Sequence, residues 1–453
     1  MERESLGSRL GFILLSAGCA IGIGNVWRFP YMVGENGGGL FVIAYIFFLL
    51  ALGVPIMTME YAMGRASRKS ILPAYKKLEP KGSKWHIFGY FAIGGNYLLL
   101  MFYSVVSGWM LRYFVLTVTG RFEGLDAEGV SAVYQEMMGS PLVLVLYMVF
   151  TMIITVIVTS AGLQAGVEKV TKIMMIALII IMLGLGVHSL TLDGAAEGIS
   201  FYLMPNAENV KKAGLGNVLY AALNQSFFTL SLGIGSMEIF GSYINKDRSL
   251  FGEAILVAGL DTFVAIVAGL ITIPACFSFG VAPDKGPSLI FLTLPNVFLS
   301  LKGGRIIGSF FFLFMYFAAL STMIGVFEND VSFSIDIFGF KRKKAAYIAG
   351  IVITLGSIPC ALGFNILSFI QPLKAGNTIM DLEDFIVSNL LLPIGALLTC
   401  LFCTTKYGWG FDNYSAEVNS GEGIKLSKAL KWYFKVVIPI VMFFLIIYGI
   451  ISY

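Results

Sequence analysis

Long apolar runs dominate the chain, and polar residues fall in short intervals between them. The runs lie near 10–33, 39–63, 87–118, 141–160, 170–190, 217–241, 254–282, 304–330, 345–363, 385–405 and 432–452. A helix needs about 20 apolar residues to cross the hydrocarbon core, and these runs supply them. Barrel strands would instead alternate in polarity over about ten residues. The pattern predicts an all-α polytopic membrane protein with eleven transmembrane helices.

Composition narrows the class. The chain has 453 residues, 57% of them hydrophobic and only 13% charged. Soluble domains carry about 25% charged residues, so a soluble globule could not cover this much apolar surface. A soluble enzyme, a disordered chain and a secreted disulfide scaffold are thereby excluded. The five cysteines lie in or beside apolar runs, and the Cys400–Cys403 pair has no second ligand pair. Core thiols explain them better than a zinc or redox site. His86 and His188 stand alone at span ends. No nucleophile–base set or metal motif appears, so no enzyme is expected.

The net charge of +4 matters less than its distribution. With the N-terminus cytoplasmic, 22 of the 31 Lys and Arg fall in inner segments and eight in outer loops. The remaining one, Arg28, sits inside the first span. The positive-inside rule therefore predicts a multi-pass cell (inner) membrane protein, N-terminus cytoplasmic and C-terminus extracytoplasmic. No cleavable signal peptide is expected, because the N-terminal apolar run continues into a motif.

Two spans carry interruptions. The first reads Gly18-Cys19-Ala20-Ile21-Gly22-Ile23-Gly24-Asn25, and the sixth reads Thr229-Leu230-Ser231-Leu232-Gly233-Ile234-Gly235-Ser236. Glycine disfavours helix by about 1 kcal/mol each. Backbone opened inside a membrane must be buried in protein or line a cavity. A shift of five spans inverts the second unit relative to the first. Paired broken helices in an inverted repeat point to a transporter substrate site. Tight helix packing through small residues is the plainer alternative.

Charged residues within spans are costly and tend to be functional. The candidates are Arg28, Glu60, Glu238, Asp261, Glu328 and Asp384. Arg28 and Asp384 fall on one side and form either an external gate or a pair of headgroup-directed charges. Asp261 is either a cation ligand or a packing hydrogen-bonder. Hard cations take oxygen ligands, and Asn25, Thr229, Asp261, Ser321 and Thr322 supply them. Ser321 and Thr322 are otherwise ordinary back-bonded helix residues. Glu238 and Glu328 have no evident partner and are protonated, or paired with each other or with Glu60.

Several stretches resemble the neurotransmitter:sodium symporter family. They are Gly7-Ser8-Arg9-Leu10-Gly11-Phe12, Gly24-Asn25-Val26-Trp27-Arg28-Phe29-Pro30 and Glu35-Asn36-Gly37-Gly38-Gly39. Gly53-Val54-Pro55, Glu60-Tyr61-Ala62-Met63-Gly64-Arg65 and Gln225-Ser226-Phe227-Phe228-Thr229-Leu230-Ser231 extend the match. The resemblance runs from residue 7 to about 405 and fits the bacterial eleven-span amino-acid transporter type. It implies a five-plus-five inverted-repeat fold with helices 1 and 6 broken. Residues 9–190 would form the first repeat, 191–216 an extracellular loop, 217–405 the second repeat, and 406–453 a loop and the eleventh helix.

Residue roles follow by position. The resemblance implies a first sodium site at Ala20, Asn25, Thr229 and Asp261, completed by the substrate carboxylate. It implies a second sodium site at Gly18, Ile21, Ala318, Ser321 and Thr322. The substrate carboxylate would meet the Ile23 and Gly24 amides and the Tyr103 hydroxyl. The amine would meet carbonyls near Cys19, Ala20, Phe228, Thr229 and Ser231. Half-helix termini suit these charges. Side-chain specificity is assigned to Leu99, Phe228, Ile234, Thr322, Gly325 and Val326. The outer gate would be Arg28, Gln225 and Asp384, beneath which Tyr103 and Phe228 form a lid. The inner gate would be Arg3, Tyr243 and Asp336, with Leu6 where relatives often carry tryptophan.

The expected function is sodium-coupled import of a neutral amino acid by alternating access. Monoamine transporters of the family carry an aspartate at the place of Gly22, and glycine leaves room for a carboxylate. Gly325 and Ile234 are smaller than a large aromatic, which favours a bulky hydrophobic or aromatic substrate. Leu99 intrudes, which keeps a small aliphatic amino acid as the alternative. A non-transporting sensor on the same fold would need an added signalling domain, and an ion channel a continuous polar pore. Ala265 replaces the chloride-binding serine and Asp261 supplies a fixed charge, so no chloride requirement is expected. The expected partners are an amino acid, sodium and the lipid bilayer, and no nucleic acid.

Overall fold

The computed structural model describes residues 3–280 and 289–451. Among these residues the chain is helical, with two isolated bridges, Gly38 to Pro205 and Arg248 to Glu422, and no sheet. Among the described residues, nine helices are long and apolar enough to cross a membrane. They are Gly39–Ser67, Ile87–Val118, Pro141–Ser160, Leu163–Leu190, Leu250–Ser278, Gly304–Phe338, Arg342–Leu362, Ile379–Thr404 and Lys428–Ile451. They take the places of expected spans two to five and seven to eleven. The first span is two helices, Arg9–Ala20 and Gly24–Glu35, with a bend of 56° between them. The sixth is also in two pieces, Leu215–Phe228 and Ser236–Gly241, each too short to cross alone. Residues 281–282 of the expected seventh span, residue 452 of the last and Lys285 of the outer-loop count lie outside the described residues.

Both breaks fall where the glycines cluster. In the first span the helix stops at Ile21, whose ψ of 97° is extended. In the sixth, three residues in five take positive φ: Ser231 at 51°, Gly233 at 99° and Gly235 at 77°. A right-handed helix cannot run through that sequence of dihedrals. Gly233 has a further reason to lack a side chain. A Cβ there would collide with the Leu392 carbonyl of the tenth span.

The broken spans sit in the interior. The first packs against the fifth, seventh and eighth spans, and the two pieces of the sixth pack against the second. The third and eighth spans share the most extensive helix–helix packing in the bundle. On the periphery, Phe150, Ile180, Leu355 and Phe444 point outward. Lipid chains are as apolar as these side chains and satisfy them.

Opened backbone in such an interior needs partners. In the first break, the Gly22 amide donates to Asn25 Oδ1 at 3.1 Å, and the Ile23 amide to the Tyr103 hydroxyl at 2.7 Å. The Gly24 carbonyl accepts from Gln225 Nε2 at 2.8 Å. In the second, Glu60 accepts from the Gly233 amide at 2.6 Å and the Met237 amide at 3.1 Å. The Ile234 carbonyl accepts from Asn96 at 2.8 Å and Asn329 at 3.4 Å. Each of these partners is a buried polar side chain, and all but Asn25 lie on an intact helix or on the other broken one.

A second polar cluster ties the bundle on the face that carries Arg3. Arg65, at the end of the second span, is buried and pairs with Glu417 at 2.7 Å. Its other nitrogens reach the Arg248 carbonyl, the Glu417 carbonyl and Ser420.

Two stability predictions follow from these contacts. Glu60→Ala strands two buried amides at about 1–3 kcal/mol each, a loss of roughly 2–6 kcal/mol. Arg65→Ala leaves Glu417 half-paired, and breaking a buried ion pair costs about 3–5 kcal/mol. Thermal unfolding of the detergent-purified protein should show both variants well below wild type. An unchanged midpoint for Glu60→Ala would mean that the sixth-span break does not depend on this carboxylate.

Candidate functional site

Two buried polar clusters flank the breaks. In the first, Asp261 receives hydrogen bonds from Asn25 at 2.8 Å, Thr229 at 3.1 Å and the Tyr45 hydroxyl at 3.2 Å. Asn25 also donates to the Asp261 carbonyl. Asn25, Thr229 and Asp261 are thus brought together as the sequence anticipates. Ala20 of the same expected set is buried and lines the central cavity next door. Tyr45 was missed, although a hydroxyl in the middle of an apolar run was a visible signal. The cluster offers one carboxylate among neutral oxygens, a donor set suited to a monovalent hard cation. Among the described residues no group of three His, Cys, Asp or Glu side chains converges to hold a more demanding ion.

In the second cluster, the Thr322 hydroxyl reaches the carbonyls of Ile21 at 3.2 Å and Gly18 at 3.4 Å. Ser321 donates to the Ala318 carbonyl at 3.0 Å. All five residues expected there are buried and adjoin the first break. The Gly18 and Ile21 carbonyls are released by the helix interruption, whereas Ser321 and Ala318 lie within the unbroken helix Gly304–Phe338.

Between the clusters lies a narrow cavity. Its lining comes from five spans: Ala20, Gly24, Leu99, Tyr103, Phe228, Ser231, Ile234, Thr322 and Leu392. Eight of these nine were anticipated, and Leu392 was not. One end is polar, where the Tyr103 hydroxyl meets the Ile23 amide. The other is apolar, between Leu99, Ile234 and Leu392. Gly22 permits the polar end, because a Cβ there would strike both the Tyr103 and Thr322 hydroxyls.

Of the residues expected around the substrate, Cys19, Ile23, Thr229, Gly325 and Val326 are not part of this lining. A Cβ on Gly325 would stand 2.6 Å from the Cys19 Cβ and 2.8 Å from its sulfur. The volume that glycine leaves is filled by Cys19 and not left open.

Above the cavity, a wider space is lined by Trp27, Arg28, Tyr31, Phe228, Asp381 and Asp384, among others. The expected Arg28–Asp384 ion pair is not formed among the described residues. The Arg28 guanidinium instead lies over the Phe228 ring, 4.3 Å from its centroid. Asp384 accepts from Ser388 at 2.6 Å. Open space separates the two charges, so each has taken a local partner. Gln225 bonds the Gly24 carbonyl, one turn below Arg28.

The opposite side is tied shut. Arg3 pairs with Asp336 at 3.1 Å and stacks over Tyr243 at 4.8 Å. Lys69 and the Ser70 amide also reach Asp336. Glu328 corrects an expectation. It is neither free nor paired with another glutamate, but bonded to both terminal nitrogens of Arg342 at 2.7 and 2.9 Å and to Tyr243. The sequence reading counted Arg342 only as an orienting loop charge. Glu238, by contrast, is buried with neither carboxyl oxygen hydrogen-bonded.

Known proteins resemble the chain along its whole length. The model of the sodium:neurotransmitter symporter family matches residues 3–125 and 135–453. YhdH of Bacillus subtilis (strain 168), an uncharacterized sodium-dependent transporter, is 35% identical over 98% of both chains. A sodium-dependent transporter of Methanocaldococcus jannaschii is 35% identical over 98% of this chain and 89% of its own. Among solved structures, MhsT in complex with L-phenylalanine superposes with a TM-score of 0.89 at 36% identity, covering 99% of this chain and all of that one. The match confirms the five-plus-five transporter fold with its two broken helices. The chain belongs to the sodium:neurotransmitter symporter family and is one of its multi-pass, sodium-dependent transporters.

Proposed function

We propose that the chain imports a neutral hydrophobic or aromatic amino acid together with sodium, by alternating access. The carrying observation is the cavity at the two breaks, polar at Tyr103 and Ile23 and apolar at Leu99 and Ile234. An α-carboxylate accepts hydrogen bonds from the Tyr103 hydroxyl and the amides of the second half-helix, whose N-terminus favours negative charge. The ammonium meets carbonyls near Cys19, Ala20, Phe228, Thr229 and Ser231. The likeness to MhsT, solved with L-phenylalanine, supports this substrate class. Cys19 beside Gly325 favours a smaller side chain, and a leucine- or valine-sized substrate is the second reading.

Sodium is the co-transported ion. One ion would bind Asp261, Asn25, Thr229 and the Ala20 carbonyl, with the substrate carboxylate as a further ligand. Another would bind the carbonyls of Gly18, Ile21 and Ala318 and the hydroxyls of Ser321 and Thr322. Binding replaces the present side-chain contacts of Asp261 with a cation and so links sodium occupancy to the shape of both breaks. Each charge carried inward through 100 mV contributes about 2.3 kcal/mol. The Arg3 face is cytoplasmic in this reading, because the basic loops gather there. The arrangement is then outward-facing, with Arg3, Asp336 and Tyr243 closed and Arg28 and Asp384 apart. Substrate draws Phe228 over the site and lets Arg28 approach Asp384, after which the inner pairs separate. Residues 9–190 and 217–405 act as the two inverted repeats, and the membrane is the cell membrane. No chloride is needed, since Asp261 supplies the negative charge and Ala265 offers no ligand.

A competition screen of the twenty amino acids against labelled phenylalanine in proteoliposomes tests the substrate class. Hydrophobic and aromatic competitors should rank first, and displacement by charged amino acids alone would defeat it. Asp261→Ala should abolish sodium-stimulated binding in a scintillation assay; a retained sodium dependence removes Asp261 from the ion site. Replacing chloride by gluconate should leave uptake unchanged, and its loss would refute chloride independence.

A further inference from the structure

The tenth span enters the central cavity through one side chain, Leu392, which is 2% exposed. Its placement is fixed from two directions. The Leu392 carbonyl lies against Gly233, and a Cβ on Gly395 would in turn meet the Gly233 carbonyl and backbone. The irregular segment of the sixth span therefore lies flat on the start of the helix Leu392–Thr404. Gly233 is held there by Glu60 from the other side. Leu392 cannot retreat without moving that segment.

Its neighbours define which end of the cavity it closes. Gly95, Leu99 and Tyr103 recur every four residues along the third span and share one face. Tyr103 marks the polar end. Gly95 marks the far end, where a Cβ would lie 3.0 Å from Leu391 and 3.1 Å from Ile234. Leu391 and Leu392 thus come in beside Ile234, remote from the Ile23 amide.

We infer that Leu392 is a specificity-determining residue: it forms the end wall for the substrate side chain and limits its length. The inference rests on the amino-acid reading above. The Leu392 side chain carries no oxygen that could ligate a cation, so its effect falls on the side chain of the substrate and not on sodium. Shortening the wall admits larger side chains, and enlarging it excludes them. One methylene in an apolar pocket changes discrimination by about tenfold or more.

The test is sodium-driven uptake into proteoliposomes, with kcat/KM measured for tryptophan, phenylalanine, leucine and valine. Leu392→Ala should raise the tryptophan-to-valine ratio about tenfold or more, and Leu392→Phe should lower it by a similar factor. The half-saturating sodium concentration should stay at the wild-type value in both. Leu392→Ile, which keeps the volume, should keep the wild-type ratio and carries the sodium comparison if a larger change prevents folding. In that event, Leu99→Ala paired with Leu392→Met supplies the ratio, because the longer, thinner methionine should cut back the gain for tryptophan. Unchanged ratios in variants that still transport would overturn the inference alone. A wild-type chain that takes up none of the amino acids would overturn the reading beneath it, and the inference with it.

Discussion

The organising constraint is that backbone opened inside a membrane must still be hydrogen-bonded. Two helices are broken near their middles, and the freed amides and carbonyls find side chains that lipid could never replace. Glu60 takes two amides of the sixth span, Tyr103 takes one of the first, and Asn96 and Asn329 share the Ile234 carbonyl. These bonds decide where polar residues sit on the second, third and eighth spans. The first break also leaves the carbonyls of Gly18 and Ile21 facing the Thr322 hydroxyl, which gives the molecule a polar centre.

The two ends of that centre are built from different forces. On the Arg3 face, Asp336 gathers a guanidinium, an ammonium and an amide, and Glu328 holds Arg342 in a bidentate pair. Such charge-assisted bonds are strong and directional. On the Arg28 face, the contact is a guanidinium over a phenyl ring, worth about 0.5–2 kcal/mol. The difference leaves the Arg28 face free to rearrange while the other stays locked, and it makes Phe228 common to the cavity and to the space above it.

Much of this was legible in the chain. The spans were visible as apolar runs, and both breaks as glycine clusters within them. The Asp261 and Thr322 clusters followed from motif positions, because short segments fix which oxygens can meet. Pairings between remote segments were less visible. Arg342 looked like one of four loop charges, and nothing local shows that it turns inward to Glu328. The Arg28–Asp384 pair did not follow, because Phe228 and Ser388 lie within reach as local partners of the two charges. Leu392 was hidden by being one apolar residue among many, whereas Tyr45 carried a signal in its hydroxyl within an apolar run. Gly325 misled because the space beside a glycine depends on what faces it, here Cys19.

The lock on the Arg3 face also bears on how the chain matures. Arg3 and Glu4 are made well before their partners Asp336 and Arg342, which are separated from them by more than 330 positions. Loops that long are slow to close, and large chains assemble through partly formed states. Until Asp336 and Arg342 are made, Arg3 and Glu4 have none of these bonds. Closure of the Arg3 face waits for the eighth and ninth spans, which carry Asp336 and Arg342. The Arg3 face is then sealed only late in synthesis, after the cavity's first, third and sixth spans are already made.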